Sequence, residues 1–348
     1  MSKIIKTALL SYGMSGRVFH GPLLKVHPGF EVVKIWERTK NESAVLFDKK
    51  LIVRSFEEIL NDKDINLVIV NTPDTTHFDL AKKALLAGKH VVVEKPFVTQ
   101  VAQGEELISL ANQQGLLLTV FQNRRWDGDF LTVRRVVEQN MLGRLVEYEA
   151  HFDRYRNFVQ HGVWKETAAG GSGTVRNLGS HLIDQALSLF GKPQSVFADI
   201  RVMRTGGEVD DFFDIDLIYE KVKVKLRGSY LVREPGPRYI LHGTKGSFLK
   251  WGTDPQEEML KAGYLPDEPN WGMEEEKYWG TLNTSVNGLH WRGSLETLPG
   301  NYSTFYSNLL QAVSTGADLA VKPEESLLGI KIIEAAFESA QKGIRVKL

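Results

Sequence analysis

The 348-residue chain contains no cysteine. Disulfides, thiolate catalysis and Cys-ligated zinc or iron–sulfur centres are therefore excluded. It has no surplus of charge: Lys+Arg and Asp+Glu both number 43, so nothing points to a nucleic-acid surface or a polybasic membrane patch. It has no apolar run of membrane-spanning length, and the opening "MSKIIKTALLS" is too short in apolar residues for a signal peptide. A cytoplasmic location is the expectation. No internal repeat or low-complexity linker breaks the chain, and the nine histidines lack ligand-like spacing, so no metal site is expected. What remains is a globular composition, 42% hydrophobic and 25% charged, in a chain long enough for two domains.

The first third alternates strand and helix. "KTALLSY", "FEVVKIWE", "LIVRS", "INLVIVNTP", "KHVVVEKPF" and "LLLTVFQN" read as strands. Between them "GRVFHGPLLKVH", "SAVLFDKK", "FEEILND", "THFDLAKKALLAG" and "QGEELISLANQQG" read as helices, the first bent or broken by Pro22 and the fourth closed by Gly88. The continuous apolar runs suit strands covered on both faces. This order predicts a doubly wound parallel sheet, a Rossmann domain over residues 1–122, with a second α+β domain over 123–348. Ligands of such sheets bind at the carboxyl ends of the strands.

The first strand end, "SYGMSG", is a variant of the G-x-G-x-x-G dinucleotide loop, with Ser11 at the first glycine position. Ser11, Tyr12, Gly13, Met14, Ser15 and Gly16 are the loop candidates. Gly13 would let the backbone approach a pyrophosphate and Gly16 would allow close helix–strand packing. At the second strand end stand Glu37 and Arg38, with Lys40 beyond. The acid suits the ribose of NAD and the cations the 2′-phosphate of NADP; two cations favour NADP, with NAD as the alternative. Thr72, Pro73 and His77 follow the fourth strand. After the fifth comes "EKP": Glu94 and Lys95 at the end of an apolar strand, with Pro96 restricting Lys95 to an extended backbone. A free lysine titrates near about 10.4 and is a poor base at neutrality, but burial and a neighbouring cation lower that value. Lys95 is the first candidate for proton transfer. Further on, in "NLGSHLIDQALSLF", helical spacing places Asn177, His181, Asp184 and Gln185 on one face and Leu182, Ala186 and Leu189 on another. His181 among polar neighbours is the second site candidate.

With these runs the chain resembles the Gfo/Idh/MocA oxidoreductases, which act on sugars, sugar derivatives and inositols with NAD(P). The resemblance spans nearly the whole chain, through "AGKHVVVEKP", "NRRWDGDFLTVRRVV", "GSHLIDQ" and "EESLLGIKIIEAAFESAQKGIRV". "QNRRWDGDFLT", "DRYR" and "GPRYILHG" are similar to those of the NADP-dependent inositol dehydrogenases of the family. The resemblance implies a C-terminal domain on a large, mostly antiparallel sheet. One face of that sheet covers cofactor and substrate, and the other forms a homodimer or larger homo-oligomer. It assigns Lys95 to the substrate hydroxyl and its proton, Glu94 to orienting Lys95 or touching the nicotinamide ribose, and His181 to substrate binding or proton transfer. The family's Asp before that histidine is here Asn177, a neutral group that stabilises an imidazolium less. Asn123, Arg124, Trp126, Tyr155, Trp164 and Asp184 are expected around a polyol or sugar, whose C–H faces stack on aromatic rings and whose hydroxyls need hydrogen bonds. Arg125, Arg156 and His161 read better as packing or surface groups. The departures at Ser11 and Asn177 leave two rivals open: a dehydrogenase of another sugar or diol using NAD, and a catalytically weak, cofactor-bound sensor.

Overall fold

The computed structural model describes residues 4–160, 162, 166, 167 and 172–348. Packing divides the chain into two compact units. The first comprises Met1–Trp126, Pro255–Gly272 and Asn301–Leu327; the second comprises Asp127–Asp254, Met273–Gly300 and Leu328–Leu348. Two segments from the later part of the chain therefore join the N-terminal unit.

In the first unit six strands form one sheet: β1 (Ile5–Leu9), β2 (Phe30–Trp36), β3 (Ile52–Val53), β4 (Leu67–Val70), β5 (His90–Val93) and β6 (Leu118–Val120). Their order is β3-β2-β1-β4-β5-β6 and every pairing is parallel. This is the doubly wound arrangement that the apolar runs predict. Leu67, Val68, Ile69 and Val70 are all fully buried, as a strand covered on both faces requires. The chain order reverses at β1 and β4, so a ligand crevice is expected at the carboxyl ends of these strands.

The connections follow local rules. Gly16–His20 forms a π-turn that runs into helix α1 (Gly21–Val26). Pro22 has no N–H and its ring would crowd the carbonyl four residues back. The wider turn, in which the Gly21 amide donates to the Gly16 carbonyl, removes that conflict. Helix α2 is Glu57–Leu60. Helix α3 (His77–Leu86) ends at a left-handed Gly88, φ 74°, and helix α4 (Val101–Gln114) follows β5. "SAVLFDKK" does not form an α-helix. It makes short 3₁₀ turns at Glu42–Val45 and Lys49–Leu51, because the Glu37 carboxylate takes the amides of Glu42 and Ser43 and Asp48 takes that of Lys50.

The second unit is built on a nine-stranded sheet: β7 (Leu145–His151), β8 (Ser195–Arg201), β9 (Phe212–Ile218), β10 (Lys223–Ser229), β11 (Tyr239–Gly243), β12 (Gly246–Lys250), β13 (Gly280–Val286), β14 (Leu289–Leu295) and β15 (Val346–Lys347). The order is β14-β13-β12-β11-β7-β10-β9-β8-β15, and among the described residues only β7 and β10 pair in parallel there. Alternate residues such as Phe213, Ile215 and Leu217 of β9 point into the core. There they join Phe130 and Val133 of helix α5 (Gly128–Glu138), Leu182, Ile183 and Ala186 of helix α6 (Ser180–Phe190) and Ile332, Ile333 and Ala336 near the C-terminus. The β13–β14 hairpin, unread in the sequence, turns on Asn287-Gly288 with positive φ at both residues. No helix among the described residues is long and apolar enough to cross a membrane.

Candidate functional site: a nucleotide groove and a polar helix

A groove of about 390 Å³ opens at the carboxyl ends of β1, β2 and β4. It brings together seven of the residues expected from the sequence: Ser11, Tyr12, Gly13, Glu37, Arg38, Thr72 and Pro73. Trp36, Lys40, Thr76 and Leu80 also line it. Thr76 and Leu80 went unread, although their spacing places both on the helical turn after Pro73.

The missing first glycine is replaced by a side-chain hydrogen bond. Ser11 Oγ accepts from the Gly13 amide at 3.1 Å, closing the tight turn with a hydroxyl. The Ser11 carbonyl accepts from Asn71 Nδ2 at 2.8 Å, tying the β1 end to the β4 end. The two glycines have different reasons. A Cβ at Gly16 would stand 2.5 Å from the Ser11 carbonyl oxygen and 2.9 Å from Asn71 Nδ2, so helix and strand could not approach. A Cβ at Gly13 would meet only Ser11 Oγ, at 3.4 Å, an ordinary contact. Within the protein Gly13 has no steric need to be glycine, which fits a backbone kept bare for a ligand. Among the described residues, buried Ser15 Oγ and Asn71 Oδ1 lack hydrogen-bond partners, and a bound phosphate or amide group can supply them. Tyr12 is buried, and burial together with the Glu37 charge pushes its hydroxyl up to about 12. Met14 is exposed. These features fit a dinucleotide.

His77 is almost wholly buried, with Nε2 2.9 Å from the Thr72 carbonyl and Nδ1 2.9 Å from the Pro96 carbonyl. It braces the turns after β4 and β5. The Lys95–Pro96 bond is cis. Glu94 is fixed from two sides: its Oε2 accepts from the Lys95 amide at 3.0 Å and its Oε1 lies 3.1 Å from His20 Nε2. His20 Nδ1 lies 2.5 Å from the Tyr306 hydroxyl, and both rings are fully buried beside Phe121. An ionised Glu94 only accepts, so Nε2 donates to it and Nδ1 accepts from Tyr306. Burial would raise the Glu94 carboxyl, but the hydrogen bond from His20, the charge of Lys95 and the Lys95 amide outweigh it and hold it low. His20 and Tyr306 lie 286 residues apart and carry no sequence signal for this pairing.

Asn123, Arg124 and Trp126 form a buried 3₁₀ turn after β6. The Trp126 carbonyl accepts from the Asn301 amide and Gln256 Nε2, stitching in the two later segments of the unit. Arg124 pairs with Glu257, and Arg125 pairs with Glu325 and donates to the Ala320 carbonyl. Burial would raise the Glu257 carboxyl, yet Arg124 and Lys261 hold it down at about 2. A carboxyl depressed in the folded state contributes stability above its unfolded pKa, and that contribution is lost as pH falls from about 4.5 through about 2. Chemical denaturation at neutral pH and at pH ~3 should therefore show a loss in wild type that is smaller in Arg124→Met, whose Glu257 lacks its main partner.

In the second unit the chain reaches α6 through a π-turn, Val175–Gly179. Asp210 anchors its start, accepting from the Val175 amide at 2.7 Å and Thr174 Oγ1 at 2.9 Å. Asn177 lies in this wider turn, so the plain α-helical spacing to His181 does not hold across it. His181 and Asp184 are buried, while Gln185 accepts from the Tyr239 hydroxyl at 2.9 Å and serves the core. Tyr155 is exposed, with the Arg233 guanidinium 4.9 Å from its ring centroid. Trp164 and His161 lie outside the described residues.

Comparison with known proteins bears directly on these two units. The family description "Oxidoreductase family, NAD-binding Rossmann fold" matches residues 5–122, and "Oxidoreductase family, C-terminal alpha/beta domain" matches 134–348. The chain belongs to the Gfo/Idh/MocA oxidoreductase family. Among its Gfo/Idh/MocA relatives is scyllo-inositol 2-dehydrogenase (NADP(+)) IolW of Bacillus subtilis, 41% identical over 97% of this chain and 94% of that protein. A crystal structure of an oxidoreductase from Bacteroides fragilis superposes with TM-score 0.93 and 49% identity, covering 99% of this chain and 100% of that one. The oxidoreductase YvaA of Bacillus subtilis superposes with TM-score 0.96 and 39% identity, covering 100% and 99%. The chain is thus an oxidoreductase with an NAD(P)-binding Rossmann domain.

Proposed function

We propose that this oxidoreductase is an NADP-preferring dehydrogenase of a cyclic polyol, with an inositol-like ring as substrate class and scyllo-inositol as the first compound to try. The observation that carries the reading is the position of Lys95. It leaves the carboxyl end of β5, in the sheet whose β1, β2 and β4 ends line the nucleotide groove. The relative named as an NADP-dependent scyllo-inositol 2-dehydrogenase supports the substrate class.

The nicotinamide, when bound, supplies the hydride acceptor for a secondary alcohol. Ser11, Gly13 and the start of the first helix hold the phosphates, and Arg38 and Lys40 take the 2′-phosphate. Lys95 binds the reacting hydroxyl and moves its proton, while Glu94, pinned by His20, fixes the backbone from which Lys95 extends. His181 binds a substrate hydroxyl or shares the proton, with Asn177 and Asp184 as its polar neighbours and with Asn123, Trp126 and Tyr155 in substrate binding. A homo-oligomer through the outer face of the C-terminal sheet belongs to the same reading, and exposed Phe197 on that face of β8 fits it. The test is a panel of inositols and aldoses with NADP⁺ or NAD⁺, read by absorbance of the reduced cofactor. Turnover of an inositol with NADP⁺ is expected. Tight nucleotide binding without turnover of any polyol overturns the reading in favour of a sensor.

A further inference from the structure

In a Rossmann domain the acidic residue ending β2 ordinarily accepts from the adenosine ribose hydroxyls and so selects NAD. Glu37 occupies that place, but its carboxylate is already employed. Oε1 accepts from the Ser43 amide at 3.0 Å and the Ser43 hydroxyl at 2.5 Å, and Oε2 accepts from the Glu42 amide at 2.8 Å. The residue is only 6% exposed. A carboxylate has about four lone-pair sites, so little accepting capacity is left for a ribose. A second clamp closes the loop from the other side. Arg54 Nη1 donates to the carbonyls of Glu37 and Lys40, both at 2.6 Å, and Nη2 to Asn41 Oδ1 at 2.5 Å. Between the clamps Arg38 and Lys40 are exposed along the groove. Lys40 pairs with Glu42 at 2.8 Å, whereas Arg38 has no ion-pair partner among the described residues.

We propose that Ser43 and Arg54 are positioning residues for cofactor selection. Ser43 locks Glu37 into a structural role and keeps it from the ribose. Arg54 holds the Glu37–Asn41 loop in the shape that presents Arg38 to a 2′-phosphate. This inference deepens the NADP reading above and rests on it.

The experiment is calorimetric titration of the full chain with NADP⁺ and with NAD⁺, without polyol, for wild type, Ser43→Ala, Arg54→Met and Glu37→Gln. Wild type should bind NADP⁺ about tenfold or more tighter than NAD⁺, the scale of one charge-assisted contact. Ser43→Ala removes the hydroxyl donor but keeps the Glu42 and Ser43 amides, so Glu37 stays in place with one more free lone pair on Oε1 to offer a ribose; NAD⁺ should tighten and the ratio shrink about fivefold. Arg54→Met should weaken NADP⁺ about tenfold with no gain for NAD⁺, because Glu37 stays locked. Glu37→Gln should leave NAD⁺ affinity unchanged. An unchanged ratio in Ser43→Ala, or a loss of about tenfold in NAD⁺ affinity in Glu37→Gln with NADP⁺ affinity unchanged, overturns the proposal. Should Ser43→Ala fail to fold, Arg54→Met decides, and unchanged NADP⁺ affinity there overturns the proposal. Failure to find a polyol substrate would count against the catalytic reading without touching these binding ratios.

Discussion

Replacing Lys95 by methionine is expected to lower kcat by about 10²–10⁴-fold, the usual contribution of a positioned acid–base group. Methionine keeps the unbranched apolar stem and removes only the amine. The backbone should not move, because the donors that fix Glu94 are the Lys95 amide and His20, and both survive the substitution. NADP⁺ affinity should stay within about threefold of wild type, since the groove is built from the β1, β2 and β4 ends. Steady-state kinetics with the best polyol, alongside nucleotide titration, separates the two effects. A variant with near-normal kcat would move the proton transfer to another residue, with His181 next in line.

The largest stability effect is expected at Lys250, on β12. Its side chain is fully buried, with Nζ 2.8 Å from Glu274 Oε1, 2.9 Å from the Tyr278 carbonyl and 2.5 Å from that of Trp251. Burial pushes the Glu274 carboxyl up, and Lys250 is the cation that offsets this. Lys250→Ala leaves a buried carboxylate and two carbonyls without their donor, and should cost about 3–5 kcal/mol in urea denaturation. Replacing both partners together, Lys250→Met with Glu274→Leu, should recover much of the loss, because an apolar pair of similar volume replaces a costly ionic one. A double variant no more stable than Lys250→Ala would contradict this account of the pair.

The parallel sheet was legible because its strands carry continuous apolar runs between amphipathic helices, and burial on both faces leaves little other pattern. The groove was legible at Ser11, Gly13 and Gly16 for a similar reason: tight turns and close helix–strand approach restrict residue type strongly. What the sequence did not disclose are side-chain choices among satisfiable partners. Glu37 could bond a ribose or the backbone beyond it, and only the folded loop shows that Ser43 and Glu42 take it. The same choice denies "SAVLFDKK" its α-helix. His20 and Tyr306 meet only because residues 301–327 fold back onto the N-terminal unit, a packing event with no local signal. At Asn177 the α-helical periodicity was the wrong ruler, since the chain there follows a π-turn. The β13–β14 hairpin is the opposite case: Asn287-Gly288, with positive φ at both residues, is a strong local turn signal.

The reaction proposed is hydride transfer from a ring carbinol to NADP⁺. It is tested most directly by incubating the protein with NADP⁺ and scyllo-inositol deuterated at its carbinol carbons, then locating the label by NMR. Deuterium at C4 of the reduced nicotinamide, lost in Lys95→Met, is the predicted result. NADP⁺ that binds tightly yet gains no deuterium from this or any other labelled inositol would contradict it.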